Sequence, residues 1–289
     1  MAEFAEYPCI LKAEQFTADK LATIRHHLEE ALSASTYKDK ITVIAAGSYG
    51  RAEASPESDM DVFILFDSGL NPDDTIVSEQ AAIKQIIDVN VPKPVGQTGT
   101  FGTNAIVTFN ELTSNIGGGN ESNQSLTRRM LFLLNDIIRY YRTIAIDFEY
   151  KISEQNKEWG LRSIKLRFSR KLIYFGGLVV AAELVGGERA DKIQRANELF
   201  AMPVLVRLQT LAGQDEQLAV LLSHYEYFLQ RISEARVRMP LKTVTRDNRE
   251  ESAEFRTLRD VGVEFSKSLE AWLKARYPCD HPIHHALLF

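Results

Sequence analysis

Ile41-Thr42-Val43-Ile44-Ala45-Ala46-Gly47-Ser48-Tyr49-Gly50-Arg51-Ala52-Glu53, followed shortly by Ser58-Asp59-Met60-Asp61-Val62-Phe63-Ile64-Leu65-Phe66, is the stretch on which the fold turns. The β-branched run from Ile41 to Ala46 reads as a buried strand. It ends in Gly47-Ser48, where a turn can present backbone N–H groups and one hydroxyl. Glycine there lets a phosphate approach the backbone closely. A second strand is expected from Met60 to Phe66. Strand side chains alternate, so Asp59 and Asp61 should point to one side of the sheet. Two carboxylates held together are costly unless a cation lies between them. Hard oxygen ligands of this kind suit Mg²⁺, particularly when phosphates supply further ligands. A phosphate-cradling turn beside such a pair matches the needs of phosphoryl or nucleotidyl transfer. Each part alone has an ordinary reading, a plain turn or a solvated surface pair. Their order and spacing on two neighbouring strands is far more specific.

The run Gly47-Ser48-x-Gly50-Arg51-x-Glu53, then Ser58-Asp59-Met60-Asp61, resembles the signature of the DNA-polymerase-β-like nucleotidyltransferase superfamily. Its Gly-Arg-x-Glu form is most similar to the N-terminal domain of PII-protein uridylyltransferases and related bacterial nucleotidyltransferases. The resemblance covers about 20 residues. It implies that Gly47 and Ser48 hold the β- and γ-phosphates of a nucleoside triphosphate such as ATP, and that Asp59 and Asp61 are catalytic and bind Mg²⁺ or Mn²⁺. Arg51 lies where its planar fork can reach phosphate; an ion pair with Glu53 or Glu57 is the alternative. Such enzymes usually carry a third carboxylate on a later strand. The candidate strand here, Thr103 to Phe109, has no acid, and Glu111 just beyond it is the candidate third metal ligand, with Asp88 before the loop as another acid nearby.

The rest of the chain supports an α+β reading. Leu21, Ile24, Leu28 and Leu32 recur at helical spacing, so a helix is expected from about Thr17 to Leu32. Another is expected from Ile76 to Ile87, a loop over 90–102 and a third strand from Thr103 to Phe109. Gly117-Gly118-Gly119-Asn120 reads as a linker. Beyond it helical patterns dominate, over about Ser125–Ala145, Trp159–Leu184, Asp191–Leu211, Gln214–Arg236 and Ser252–Arg276. The expected organisation is a polymerase-β-like domain over 1–119, with a mixed sheet and flanking helices, then an all-helical domain over 120–289.

The segment Trp159 to Tyr174 has five basic residues and no acid. Leu161, Ile164, Phe168, Leu172 and Phe175 form its apolar stripe, while Arg162, Arg167, Arg170 and Lys171 spread over the opposite half. Lys165 sits at the stripe's edge, where a charge should not face plain core. In a chain of net charge −5, this concentration points to a bound anion, either a triphosphate or an RNA backbone. In the superfamily the helical domain often supplies a cation to the triphosphate, which makes Lys165 the nucleotide-binding candidate; a snorkelling lysine on a solvated face is the bland alternative. Arg128, Arg129, Arg139 and Arg142 form a second basic series, with Asp136 and Asp147 as candidate partners.

The acidic balance argues against a protein that coats nucleic acid generally. Cys9 and Cys279 form no CxxC motif and read as two thiols in a reducing compartment. The first residues lack an ordinary secretory signal, and no run reaches the roughly 18 apolar residues of a membrane span, so a cytoplasmic protein without membrane contact is expected. Cys279, Asp280, His281, His284 and His285 are possible zinc ligands but match no standard spacing. The leading expectation is a Mg²⁺-dependent nucleotidyltransferase that moves a nucleoside monophosphate onto an acceptor, with protein or RNA favoured over a small molecule. The rivals are a nucleotide-binding regulator without turnover, and a toxin or defence enzyme acting on tRNA or making a signal nucleotide.

Overall fold

The computed structural model describes residues 4–66, 77–91, 123–155, 157–186, 188–213 and 215–287. The fold class is α+β. The chain divides into two compact units: Ile10–Asn120, and Met1–Cys9 together with Glu121–Phe289.

The first unit is built on helix α1 (Pro8–Leu32). Proline opens this helix, where its missing N–H costs nothing and its fixed φ suits the first turn. Ile10, Thr17 and Ile24, seven residues apart, are its buried positions. The apolar pattern pointed to a start near Thr17; the helix begins nine residues earlier. A short 3₁₀ turn (Lys38–Lys40) leads into strand β1 (Ile41–Ala45), then one helical turn α2 (Gly47–Gly50), strand β2 (Val62–Phe66) and helix α3 (Val77–Asn90).

Strands β1 and β2 pair antiparallel, from Ile41 opposite Phe66 to Ala45 opposite Val62. Strand β2 begins later than the sequence pattern suggested. Asp59 and Met60 lie before it, because the chain is still folded back by hydrogen bonds between Ser55 and Ser58. The ladder extends one step further through Ala46 N–H donating to Asp61 O at 2.7 Å. One sheet face carries Ile41, Val43, Ala45, Val62 and Ile64 onto a core of Ile24, Tyr49, Ala54, Ile83, Ile87 and Val91. Ile83 and Ile87 stand one turn apart on α3, and burying each contributes about 2 kcal/mol. The expected strand Thr103–Phe109, the loop over 92–102, the linker Gly117–Asn120 and Glu111 lie outside the described residues.

The second unit is helical. Its elements are α4 (Asn123–Ser153), α5 (Trp159–Lys165), α6 (Lys171–Glu183), α7 (Arg189–Phe200), α8 (Val204–Ala212), α9 (Glu216–Ser233), α10 (Ala235–Thr243), α11 (Ala253–Arg276) and α12 (Pro282–Ala286). A single π turn, Leu166–Arg170, joins α5 to α6, making one helix from Trp159 to Glu183. Pro203 separates α7 from α8, dividing the pattern that read as one helix. Asp215 and Ser252 cap α9 and α11 by accepting from Gln217 N and Phe255 N. The core stacks Phe168 on Phe228, with ring centroids 4.5 Å apart, and Phe265 and Tyr225 complete the aromatic cluster. The predicted stripe of Leu161, Ile164, Phe168, Leu172 and Phe175 is buried throughout.

No described helix is long and apolar enough to cross a membrane. Cys9 and Cys279 are not joined by a disulfide. Two of the C-terminal His residues serve the backbone: His281 Nδ1 accepts from Ile283 N, and His284 Nε2 lies 2.9 Å from Tyr277 O.

Candidate functional site

The end of β1 feeds directly into α2. Gly47, the first residue of that turn, has φ +61°, a left-handed conformation natural to glycine. It also lies under the carboxylate of Asp61: a Cβ on residue 47 would collide with Asp61 Oδ2. The antiparallel register explains this approach. Asp61 is the residue just before β2, and its carbonyl pairs with Ala46, the residue just before Gly47.

Tyr49, at the centre of α2, points inward and is 2% exposed. Burial first, and the nearby Asp59 charge second, hold its phenol above the usual range. The Asp59 and Asp61 carboxylates therefore both bear on this one turn, Asp61 by contact with Gly47 and Asp59 through Tyr49. Both aspartates are solvent-exposed. The Ser48 side chain is half-buried and makes no hydrogen bond to a described residue, while its carbonyl accepts from Glu53 N at 2.9 Å.

The connection after the turn is tightly tied. Ala52 N donates to Tyr49 O, and Ala52 itself sits at φ 59°. A non-glycine residue there carries backbone strain of about 1 kcal/mol. Arg51 Nε donates to Glu53 Oε2 at 2.8 Å, with side chains only 15% and 4% exposed. The structure thus shows the ion pair weighed in the sequence as the alternative for Arg51. Ala54 N donates to Thr17 Oγ1 at 2.9 Å, and Thr17 Oγ1 donates in turn to Ala13 O. Thr17 is 1% exposed and Ala54 is fully buried. Thr17 escaped the sequence reading; its signal was a hydroxyl residue on the apolar face of α1, in phase with Ile10 and Ile24.

The arrangement fits a hard divalent cation as far as it extends. Asp59 and Asp61 supply exposed carboxylate oxygens next to the turn. Among the described residues no group of three His, Cys, Asp or Glu side chains comes together to hold a metal. Glu111, the expected third ligand, is not among the described residues, and Asp88 lies on α3.

Lys165, from the other unit, is the last residue of α5, directly before the π turn. All five basic residues of this segment, Arg162, Lys165, Arg167, Arg170 and Lys171, are partly buried rather than fully exposed. In the second series Arg139 is highly exposed and lies 3.9 Å from Asp136, whereas Asp147 pairs with Lys151 at 2.7 Å.

Residues 24–101 match the family model described as nucleotidyltransferase domain. No curated protein and no solved structure matches the chain. The matched segment spans the last third of α1, both strands, the Gly47–Gly50 turn, the two aspartates and α3. This chain therefore carries, over residues 24–101, a nucleotidyltransferase domain of the DNA-polymerase-β-like superfamily.

Proposed function

We propose that the protein is a Mg²⁺-dependent nucleotidyltransferase that transfers a nucleoside monophosphate from a nucleoside triphosphate to an acceptor on protein or RNA. The observation that carries this reading is the Asp61 carboxylate set against Gly47, the residue before Ser48. In the reaction the acceptor oxygen attacks the α-phosphorus, the bond from that phosphorus to the β-phosphate bridging oxygen breaks, and pyrophosphate leaves. Gly47 and Ser48 bind the β- and γ-phosphates through the backbone and the hydroxyl, fixing the leaving group. Asp59 and Asp61 would hold Mg²⁺ or Mn²⁺. That ion, when bound, supplies Lewis-acid stabilisation of charge on the attacking and leaving oxygens. Arg51, bonded to Glu53, acts in this scheme mainly by fixing the loop between turn and aspartates. Lys165 is the proposed phosphate contact from the helical unit, and Lys165→Ala is expected to raise the nucleotide KM more than it lowers kcat.

The decisive experiment incubates the purified chain with each labelled nucleoside triphosphate, Mg²⁺ and either total RNA or cell lysate. Label on RNA or protein identifies the acceptor, and Asp61→Asn should abolish it with the fold intact. Full transfer by Asp61→Asn would overturn the site. A second reading, a nucleotide-binding regulator without turnover, draws on one observation: no third acid joins Asp59 and Asp61 among the described residues. Tight triphosphate binding with no transfer to any acceptor would select it.

A further inference from the structure

The helical unit contains two neighbouring half-buried cations, one of them with a buried donor that no acceptor meets. Arg167 lies in the π turn and Lys171 follows one turn later on α6. Both are half-buried between α6 and its packing partners. Arg167 is packed against Gly262 of α11, and its buried Nε has no hydrogen-bond partner. The carboxylate bearing on Arg167 is Asp260, whose Oδ1 already accepts from Arg259 at 3.0 Å. Lys171 Nζ donates to a neutral partner, Ser266 Oγ, at 2.6 Å. Tyr141 of α4 lies near Arg167, its ring centroid 4.9 Å from that of Tyr174 on α6, and neither phenol makes a hydrogen bond to a described residue.

Such a pair is electrostatically unfavourable as it stands. Burial and the Arg167 charge pull the Lys171 ammonium below its ordinary range, and burial and Arg259 do the same to Arg167. Two half-buried cations four residues apart on one helix repel.

We propose that Arg167, Lys171, Tyr141 and Tyr174 form a binding site for the phosphate group of a small-molecule phosphate ester, built wholly within the helical unit. A phosphate offers three terminal oxygens and enough lone pairs for a guanidinium fork, an ammonium and two phenols together. A carboxylate, with two oxygens, leaves part of this set unmatched. A nucleic-acid strand requires a basic track along several phosphates; here the two cations are about 6 Å apart along one helix. The site uses no residue of the nucleotidyltransferase domain, so it stands or falls separately from the transfer reaction.

The test is calorimetric titration of the full-length protein at fixed ionic strength in EDTA, which silences metal-dependent binding. Inorganic pyrophosphate and ATP are the probes, and adenosine is the phosphate-free control. Pyrophosphate and ATP should bind one per chain and compete, and adenosine should not bind. Lys171→Met and Arg167→Met should each weaken binding about tenfold, the loss of one charge-assisted contact. Arg236→Gln, an exposed arginine elsewhere, should leave binding unchanged. Without ligand, Lys171→Met should melt at or above the parent temperature, because it relieves like-charge repulsion; this separates lost binding from lost folding. ATP more than tenfold tighter than pyrophosphate assigns the ester to a nucleotide, and equal affinity assigns it to the phosphate alone. Parent-like affinity in Lys171→Met and Arg167→Met, absence of binding in the parent, or loss of binding in Ser48→Ala instead would each overturn the proposal.

Discussion

Glu53 keeps a carboxylate at 4% exposure with Arg51 as its cation, so the two side chains are energetically coupled. Arg51→Gln leaves that carboxylate without its guanidinium and should cost about 3 kcal/mol of stability. In the double variant Arg51→Gln/Glu53→Gln the losses should fall short of additivity by about 1–2 kcal/mol. Urea denaturation of the four proteins reads this directly. If Arg51→Gln keeps parental stability and instead raises the triphosphate KM, the arginine's task is phosphate binding. Gly47→Ala makes a sharper distinction. The left-handed φ costs about 1 kcal/mol, but the new methyl also displaces the Asp61 carboxylate. Transfer should therefore fall by far more than the modest drop in melting temperature. An active Gly47→Ala enzyme with normal kcat would remove Asp61 from the position described. Gly47, Ser48, Asp59 and Asp61 stood out in the sequence because their spacing is a local property; the helical turn at Gly47 and the late start of β2 at Val62 were not readable from it. Nor was the contact of Asp61 with Gly47, since it depends on the antiparallel register.

At the scale of elements, a buried hydroxyl ties the loop after the turn to α1, beside the apolar packing of Tyr49 and Ala54. Thr17 Oγ1 is the acceptor for Ala54 N in a fully buried setting. Thr17→Val preserves shape and leaves that N–H without its partner, at a cost of about 1–3 kcal/mol. Thr17→Ser keeps the acceptor and should recover most of the loss. Differential scanning calorimetry of both variants checks this; equal melting temperatures for Thr17→Val and the parent would show that the bond does not hold the loop. The helix periodicities made α1, α3 and the Trp159–Glu183 stripe readable, since the apolar positions follow the 3.6-residue repeat. Two features escaped for different reasons. Pro203 divides α7 from α8 although apolar spacing continues across it. The π turn Leu166–Arg170 has no local signature; it carries Phe168, which stacks on both Phe228 and Phe265.

Across the whole molecule, the first nine residues group with the helices from the other end of the chain. Phe4 is 2% exposed, Tyr7 Oη donates to Ala219 O at 3.3 Å, and Cys9 N donates to Glu226 Oε1 at 2.7 Å. Two of these bonds end on α9, whose own buried face of Leu218, Leu221, Leu222 and Tyr225 belongs to the helical core. No periodicity announces such an arm, because it is too short to repeat and its partners lie more than 200 residues away. Its anchor is nonetheless a full aromatic burial, and truncating a buried phenylalanine costs about 3 kcal/mol. Phe4→Ala should therefore destabilise α9 and its neighbours despite leaving the entire sequence from residue 121 onward unchanged. Hydrogen exchange separates the two units: amides of α9 and α11 should lose protection, while those paired between β1 and β2 keep theirs. Parental protection of α9 in Phe4→Ala would mean that the arm rests on the helices without stabilising them.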